Sequence, residues 1–530
     1  MTVTWMKLLS FVSALLSTVL VSGCMVGPNY QVPETRINKT WIEEAEFGVK
    51  RDTAVDTEWW KVFDDPVLDA LVEDAYRNNL DLRIAGVRVL QAMAQRGFAI
   101  GNLFPQSQNI EGSFTRSKAS DNYAAEGAPT PPPSNVWNTW SLSFDASWEL
   151  DFWGKIRRSI ETAGAELDAS VADYDNVMVS LIAEVAATYV SVRTAEEQIA
   201  ITQKNIEAQE RSVLISEERF DAGATTMLDV TQARSLLTQT QAGLASLEAE
   251  RRQALFQLSA LLGRPPSLLE TDVGAPGKIP VAPADVAIGV PADLLRRRPD
   301  VRIAERTAAA QSALIGVQKA DLFPSFVLVG SIGYQANKFN KLWRMDSTTG
   351  FISPGFSWPV LNYGRIRNSI REQDAAFQAA ALNYQNTVLS AAQEVESSLA
   401  AFRGSQFQAE KLGESATQAQ KSVDLSLIQY TEGETDYTRV LQAQQTLLEV
   451  QNRHASVRGN ITKNLISTYK ALGGGWEIRD GLRDIVPEKT REEMSSRTDW
   501  GDYFERISES RAPNTQQIDD PSLFEILLDE

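Results

Sequence analysis

Hydrophobic residues recur along this chain with two periods, and each period marks a different kind of element. From about Lys155 to Arg219 the sequence holds no Pro, one Gly and abundant Ala, Glu, Gln and Leu, residues that lose little side-chain freedom in a helix. At about 1.5 Å per residue that helix would run roughly 90 Å, longer than any compact domain needs. A second predicted helix, from about Met227 to Leu262, carries Val230, Ala233, Leu237, Thr240, Leu244 and Leu247 at alternating spacings of three and four, continued by Arg251, Ala254, Leu258 and Leu261. That spacing is a coiled-coil seam. The other period is two. In Thr139 to Leu150, Leu142, Phe144, Ala146, Trp148 and Leu150 alternate with Ser141, Ser143, Asp145, Ser147 and Glu149, as in a strand with one apolar face. Its length suits a tilted membrane-spanning strand of about 9 to 11 residues. Phe326 to Tyr334 and Ile352 to Val360 repeat the alternation more weakly, and Gln106 to Ser117 is the faintest instance. Four strands cannot close a barrel in lipid, where open edges strand backbone groups, so a barrel built from them is shared between chains.

These elements come twice. Trp148, Gly154, Ile156, Arg157 and Ser159 recur as Trp358, Gly364, Ile366, Arg367 and Ser369, a displacement of 210 that persists to Leu262-Gly263 and Leu472-Gly473. Upstream the displacement is 219, matching Arg83-Ile84-Ala85 to Arg302-Ile303-Ala304 and Leu103-Phe104-Pro105 to Leu322-Phe323-Pro324. The extra residues of the first half therefore lie between Pro105 and Trp148, where Asp121 to Val136, rich in Ala, Pro, Ser and Asn, reads as an exposed loop. The second-half seam runs through Val440, Ala443, Leu447, Val450, His454, Val457 and Ile461. Phe220-Asp221-Ala222-Gly223 and Tyr430-Thr431-Glu432-Gly433 put Gly where a helix end commonly needs a left-handed residue. Both Leu-Phe-Pro triplets are helix stops, because Pro restricts the residue before it.

Charge and composition narrow the chemistry. A net charge of −18 argues against nucleic acid as a partner. One Cys and one His exclude an intrachain disulfide and leave thin means for thiol, imidazole or zinc chemistry. His454, on an apolar seam, reads as a packed side chain rather than a metal ligand. No catalytic constellation, cofactor site, metal site or phosphate-cradling loop is visible. Residues 1–23 carry Lys7, an apolar run too short to cross a membrane, and small residues before Cys24, which is the layout of a secretory signal. Val21-Ser22-Gly23-Cys24 resembles a bacterial lipobox, which implies acylation of Cys24, and Met25 at the next position points to the outer membrane.

Asp151-Phe152-Trp153-Gly154-Lys155, Leu294 to Asp300, both Leu-Phe-Pro triplets, Leu472-Gly473-Gly474-Gly475-Trp476 and Met25 to Tyr30 together resemble the outer-membrane factor family of TolC-like efflux proteins, in the lipoprotein branch that serves resistance-nodulation-division multidrug pumps. The resemblance covers about residues 20 to 476. It implies an α+β membrane protein with an internal duplication, a homotrimer whose twelve strands, four per chain, close one β-barrel continuous with a long α-helical periplasmic barrel. The expected layout is a signal peptide over 1–23, an anchored N-terminal segment over 24–65, a first repeat over 66–263, a linker over 264–290, a second repeat over 291–476 and an acidic tail over 477–530. Trp59, Trp60 and Phe63 are expected to pack the equatorial belt, and Trp137, Trp140 and Trp148 to mark the membrane interface.

The implied role is a passive conduit, with no enzymatic activity, that receives small molecules from an inner-membrane pump through a periplasmic adaptor (membrane fusion) protein and releases them outside. Asp145 and Glu149 are the candidates for charge facing the lumen. Asp229, Tyr430, Asp436 and Arg439 are the gate candidates, with an Asp229 to Arg439 pairing as one arrangement and simple solvated helix-end charge as the plainer one. Export of heavy metals or secretion of proteins stands as the alternative within the class. A periplasmic coiled-coil adaptor or scaffold lipoprotein is the alternative outside it, and it would lack the strands at 139–150 and 325–334.

Overall fold

A computed structural model gives the fold and describes residues 25–35, 38, 41–42, 58–120, 136–283, 297–479, 485–501 and 503–504. The elements run α1 (Pro66–Asn78), α2 (Leu80–Gly101), β1 (Ser107–Lys118), β2 (Val136–Leu150), α3 (Lys155–Asp221) and α4 (Met227–Leu261). They continue with α5 (Pro299–Ala320), β3 (Ser325–Ala336), β4 (Thr348–Ser357), α6 (Arg365–Glu432), α7 (Tyr437–Ala471) and α8 (Glu488–Ser495). Cys24, the signal segment and most of the Asp121 to Val136 loop lie outside the described residues.

The chain forms two compact units, Met1–Pro33 with Leu90–Ala169 and Ala304–Tyr384, and Glu34–Val89 with Ser170–Ile303 and Gln385–Glu530. Neither coincides with a sequence half, since each draws equivalent pieces from both. The first unit holds one antiparallel sheet in the order β1-β2-β3-β4. The faint β1 pairs with β2 along its whole length, from Ser107 opposite Ser147 to Lys118 opposite Val136. One expected strand shifts. β4 begins at Thr348 and ends at Ser357, so Trp358 and Val360 fall beyond it. Pro359 has no N–H for a ladder, and the Val360 amide closes a turn on the Trp358 carbonyl (2.9 Å) instead.

The second unit is built on the helical seams. All ten seam positions of α4 are buried or half-buried, and Leu236, Leu255 and Ser259 widen the stripe. α7 behaves likewise from Val440 to Ile461. Trp59, Trp60 and Phe63 are buried, with Trp59 stacked on Tyr469 at 5.5 Å and its indole N–H donating to the Gly474 carbonyl (3.3 Å). Part of the acidic segment after Trp476 packs against the rest of this unit. Arg479 is buried on Asp175 (2.6 Å), and Ile485 and Val486 are buried, the carbonyl of Ile485 lying so close to Gly86 that any Cβ there would collide.

Candidate functional site

The sheet separates its two faces by chemistry. Asp145 lies opposite Asn109 on β1 and Ser331 on β3, and Ser143 lies opposite Glu111 and Gly333. The Ser143 hydroxyl donates to Asp145 (2.7 Å), and Ser113 and Ser141 bond across the ladder (2.8 Å). Glu149 shares this face by strand period, with Val327 and Val329 beside it on β3 as the less polar part. The opposite face carries Phe114 against Trp140 (4.4 Å) and Phe326 against Phe356 (6.3 Å). β1 and β4 pair within the chain on one side only, and β4 is exposed along its length.

Two duplicated indoles act at the helix stops. Trp148 donates to the Leu103 carbonyl and Trp358 to the Leu322 carbonyl, both at 3.0 Å, so the Leu carbonyl of each Leu-Phe-Pro stop is taken by a duplicated Trp. The segment after Cys24 docks at the same junction. The Val26 amide donates to the Trp153 carbonyl (3.0 Å), and buried Arg158 donates to Asn29 (2.8 Å) and Glu161 (2.6 Å). Gly27, at φ +106°, sits where a Cβ would meet the backbone of Gly316.

At the far ends of the helices the two hairpin turns are built alike. Gly223 and Gly433 take φ values of +73° and +79°, and Ala224 and Glu434 donate back to the carbonyls of Arg219 and Gln429, both at 2.8 Å. These are Schellman ends. The turns are also tied to each other. The Tyr430 hydroxyl donates to Asp229 (3.3 Å), which also accepts from Thr225. Arg219 stacks over the Tyr430 ring (5.0 Å) and donates to the Thr431 carbonyl (2.5 Å). Tyr430 and Tyr437 are 2% and 1% exposed and pack edge to face at 5.3 Å with Val213, Ala233 and Val440. Burial pushes the Tyr430 hydroxyl upward, with the Asp229 charge adding to it, so it stays a donor.

Two of the four gate candidates therefore meet. Asp436 and Arg439 are exposed, and no ion pair within the chain joins Arg439 to Asp229 among the described residues. The pairing considered from the sequence gives way because Thr225 and Tyr430 already hold the carboxylate, while Arg439 lies on the outward side of α7. Arg219, Thr225 and Tyr437 were not singled out from the sequence. A signal existed, because the halves diverge here, with Arg219 opposite Gln429, Phe220 opposite Tyr430, Met227 opposite Tyr437 and Asp229 opposite Arg439.

The model of the outer membrane efflux protein family matches residues 71–264 and 290–474. The chain belongs to this family. Nodulation protein T of Rhizobium leguminosarum bv. trifolii is 30% identical over 459 residues, 87% of this chain and 96% of that protein. The pyoverdine export outer membrane protein OpmQ of Pseudomonas putida is 32% identical over 438 residues, 82% of this chain and 91% of that one. Among solved structures, the outer-membrane channel OprN superposes with a TM-score of 0.80 at 32% identity, over 86% of this chain and all of that one. The open-state MtrE channel of Neisseria gonorrhoeae gives 0.75 at 26% identity, over 86% and 99%. This efflux protein has their fold, helix-rich with one small sheet of four strands per chain, and it is the outer-membrane channel component of an efflux pump. The strands that discriminate against a coiled-coil scaffold are present.

The family motifs prove to be mutual contacts. Arg298 donates to the Ala471 carbonyl (2.6 Å), Asp300 (2.7 Å) and Glu394 (2.8 Å), and Arg297 pairs with Glu477. The Arg-Arg-Pro-Asp motif of the efflux protein thus clamps the Leu-Gly-Gly-Gly-Trp motif that ends its second repeat.

Proposed function

We propose that this channel works as a homotrimer, a passive conduit without a catalytic step, anchored by acylated Cys24 and joined through a periplasmic adaptor to an inner-membrane resistance-nodulation-division pump. The carrying observation is the four-stranded sheet with one polar face, one aromatic and aliphatic face, and two strands paired on one side only. Three such sheets make a closed barrel of twelve strands and leave no unpaired edge in lipid. The polar face, with Asp145 and Glu149, then lines the lumen and favours cations over anions. The docking of Met25 to Tyr30 beside Trp153, at the helix end of the sheet, supports the anchor, because it holds residue 25 where strand passes into helix. The bonds among Asp229, Tyr430, Thr225 and Arg219 are read as the latch of the closed state. Asp436 and Arg439, exposed within one chain, are read as gate residues facing the neighbouring copies.

A photocrosslinking residue at Ser353 in β4 tests the assembly. The expected product is a ladder that stops at three chains, with β1 of a second copy as the captured segment. A chain that remains uncrosslinked in native membranes contradicts the proposal. Cys24→Ser is expected to abolish incorporation of labelled palmitate while the three-chain product persists.

A further inference from the structure

The end of the sheet remote from the helices carries a cluster of exposed cations among exposed aromatic rings. Where the sheet meets the helices, Lys155 pairs with Asp321 (2.8 Å) and Arg157 with Asp151 (3.0 Å), while Lys319, Arg365 and Arg367 are exposed. At the opposite end Arg116 and Lys118 follow Phe114 at intervals of two, and so share its face of β1. The β3–β4 connection adds Lys338, Lys341 and Arg344, with Asp346 as its one acid. All five cations are exposed, and none makes an ion pair among the described residues. They sit around a row of rings that crosses the sheet, Phe114 to Trp140 (4.4 Å) to Phe339 (5.0 Å), with Trp343 against Tyr334 (6.1 Å) beside it. Phe339, Trp343 and Met345 are 56%, 62% and 85% exposed.

Exposed rings and cations together, on the lipid-facing side, fit a membrane interface with anionic headgroups. In a chain with net charge −18, five cations without ion pairs at one end are a local reversal of sign. With the helices in the periplasm, as the outer-membrane reading has it and on which this inference rests, this end meets the outer leaflet, whose lipid is a phosphorylated glycolipid. We propose that the β3–β4 connection and the end of β1 form a binding surface for that lipid, in which Lys338, Lys341 and Arg344 contact its phosphates and Phe339, Trp343 and Met345 lie along its acyl chains. The surface fixes the depth of the barrel and seals its outer rim.

The test is retention of lipid A by the purified full-length protein, read by native mass spectrometry against chemically dephosphorylated lipid A. Wild-type protein is expected to retain the phosphorylated form, and K338Q/K341Q/R344Q to bind it about a hundredfold more weakly, each cation near an anionic surface contributing about one part in three of that change on a logarithmic scale. Conductance and the three-chain crosslink of the variant check that it folds. Should it not fold, a salt titration of wild-type retention serves, since phosphate contacts weaken with ionic strength. Equal retention of both lipids by the wild type, or retention that neither the substitutions nor salt reduces, overturns the proposal. A protein that selects the phosphorylated lipid but never conducts sinks the conduit reading alone. One that conducts without selecting sinks this inference alone.

Discussion

At the scale of single residues, the proposed latch and the Arg298 clamp are expected to respond differently to substitution. Tyr430→Phe removes one hydrogen bond to Asp229 and keeps the ring in its pocket, so it is expected to shift the closed–open balance rather than the fold. One bond of about 1 kcal/mol corresponds to roughly a fivefold rise in open probability, read by single-channel recording. Asp229→Asn should act in the same direction, and unchanged gating in both would remove the latch assignment. Arg298→Ala has another consequence. It strips three acceptors of one buried cation and is expected to cost about 3 kcal/mol of stability in denaturant titration, with Arg298→Lys giving little rescue because one ammonium cannot reach all three.

His454 gives a pH dependence. Burial, with Arg458 adding, holds its imidazole below the ordinary value. A base whose folded pKa is depressed binds its proton more readily when unfolded. Stability is therefore whole above about pH 6.5 and declines as pH falls through that value toward the folded one. Thermal unfolding between pH 7 and 5 should show this decline in the wild type and a shallower one in His454→Gln.

At the scale of elements, the period of the hydrophobic pattern was enough to place the seams of α4 and α7, whose apolar stripes are buried or half-buried, and the strongest strand, whose two faces differ in chemistry. The seam from Val230 to Leu261 needed no tertiary information. β4 was legible only in part. Its exposed edge position weakens the alternation, and Pro359 stops it before Trp358, whose indole turns to a carbonyl instead. The contacts between the hairpin tips were harder to read, since Arg219 and Tyr437 pack across hairpins more than two hundred residues apart and no local pattern couples them. Their divergence between the halves was the available clue.

The shared hairpin geometry yields a comparison among glycines. Gly223 and Gly433 are left-handed at helix ends, so alanine at either should destabilise by about 1 to 2 kcal/mol. Gly243 lies inside α4 with open space around it, and alanine there should stabilise by about 0.5 to 1 kcal/mol. Denaturant midpoints of the three variants check both signs.

At the scale of the whole molecule, the duplicated motifs and the family assignment explain one another. Pieces that recur at a displacement of 210 or 219 build equivalent helix stops, capped by equivalent tryptophans, and the motifs that occur once close the fold between distant parts of the chain. What one chain lacks is a strand for the outer sides of β1 and β4. The polar face of the sheet has no use on a lone sheet in lipid and an obvious one inside a closed barrel.

Single-channel conductance of the purified protein in planar bilayers tests this directly. The account predicts cation-preferring pores, seldom open in the wild type and open more often in the Tyr430→Phe and Asp229→Asn variants. Protein that crosslinks as a trimer yet passes no ions, even with Asp229, Tyr430 and Arg219 all replaced, would contradict it.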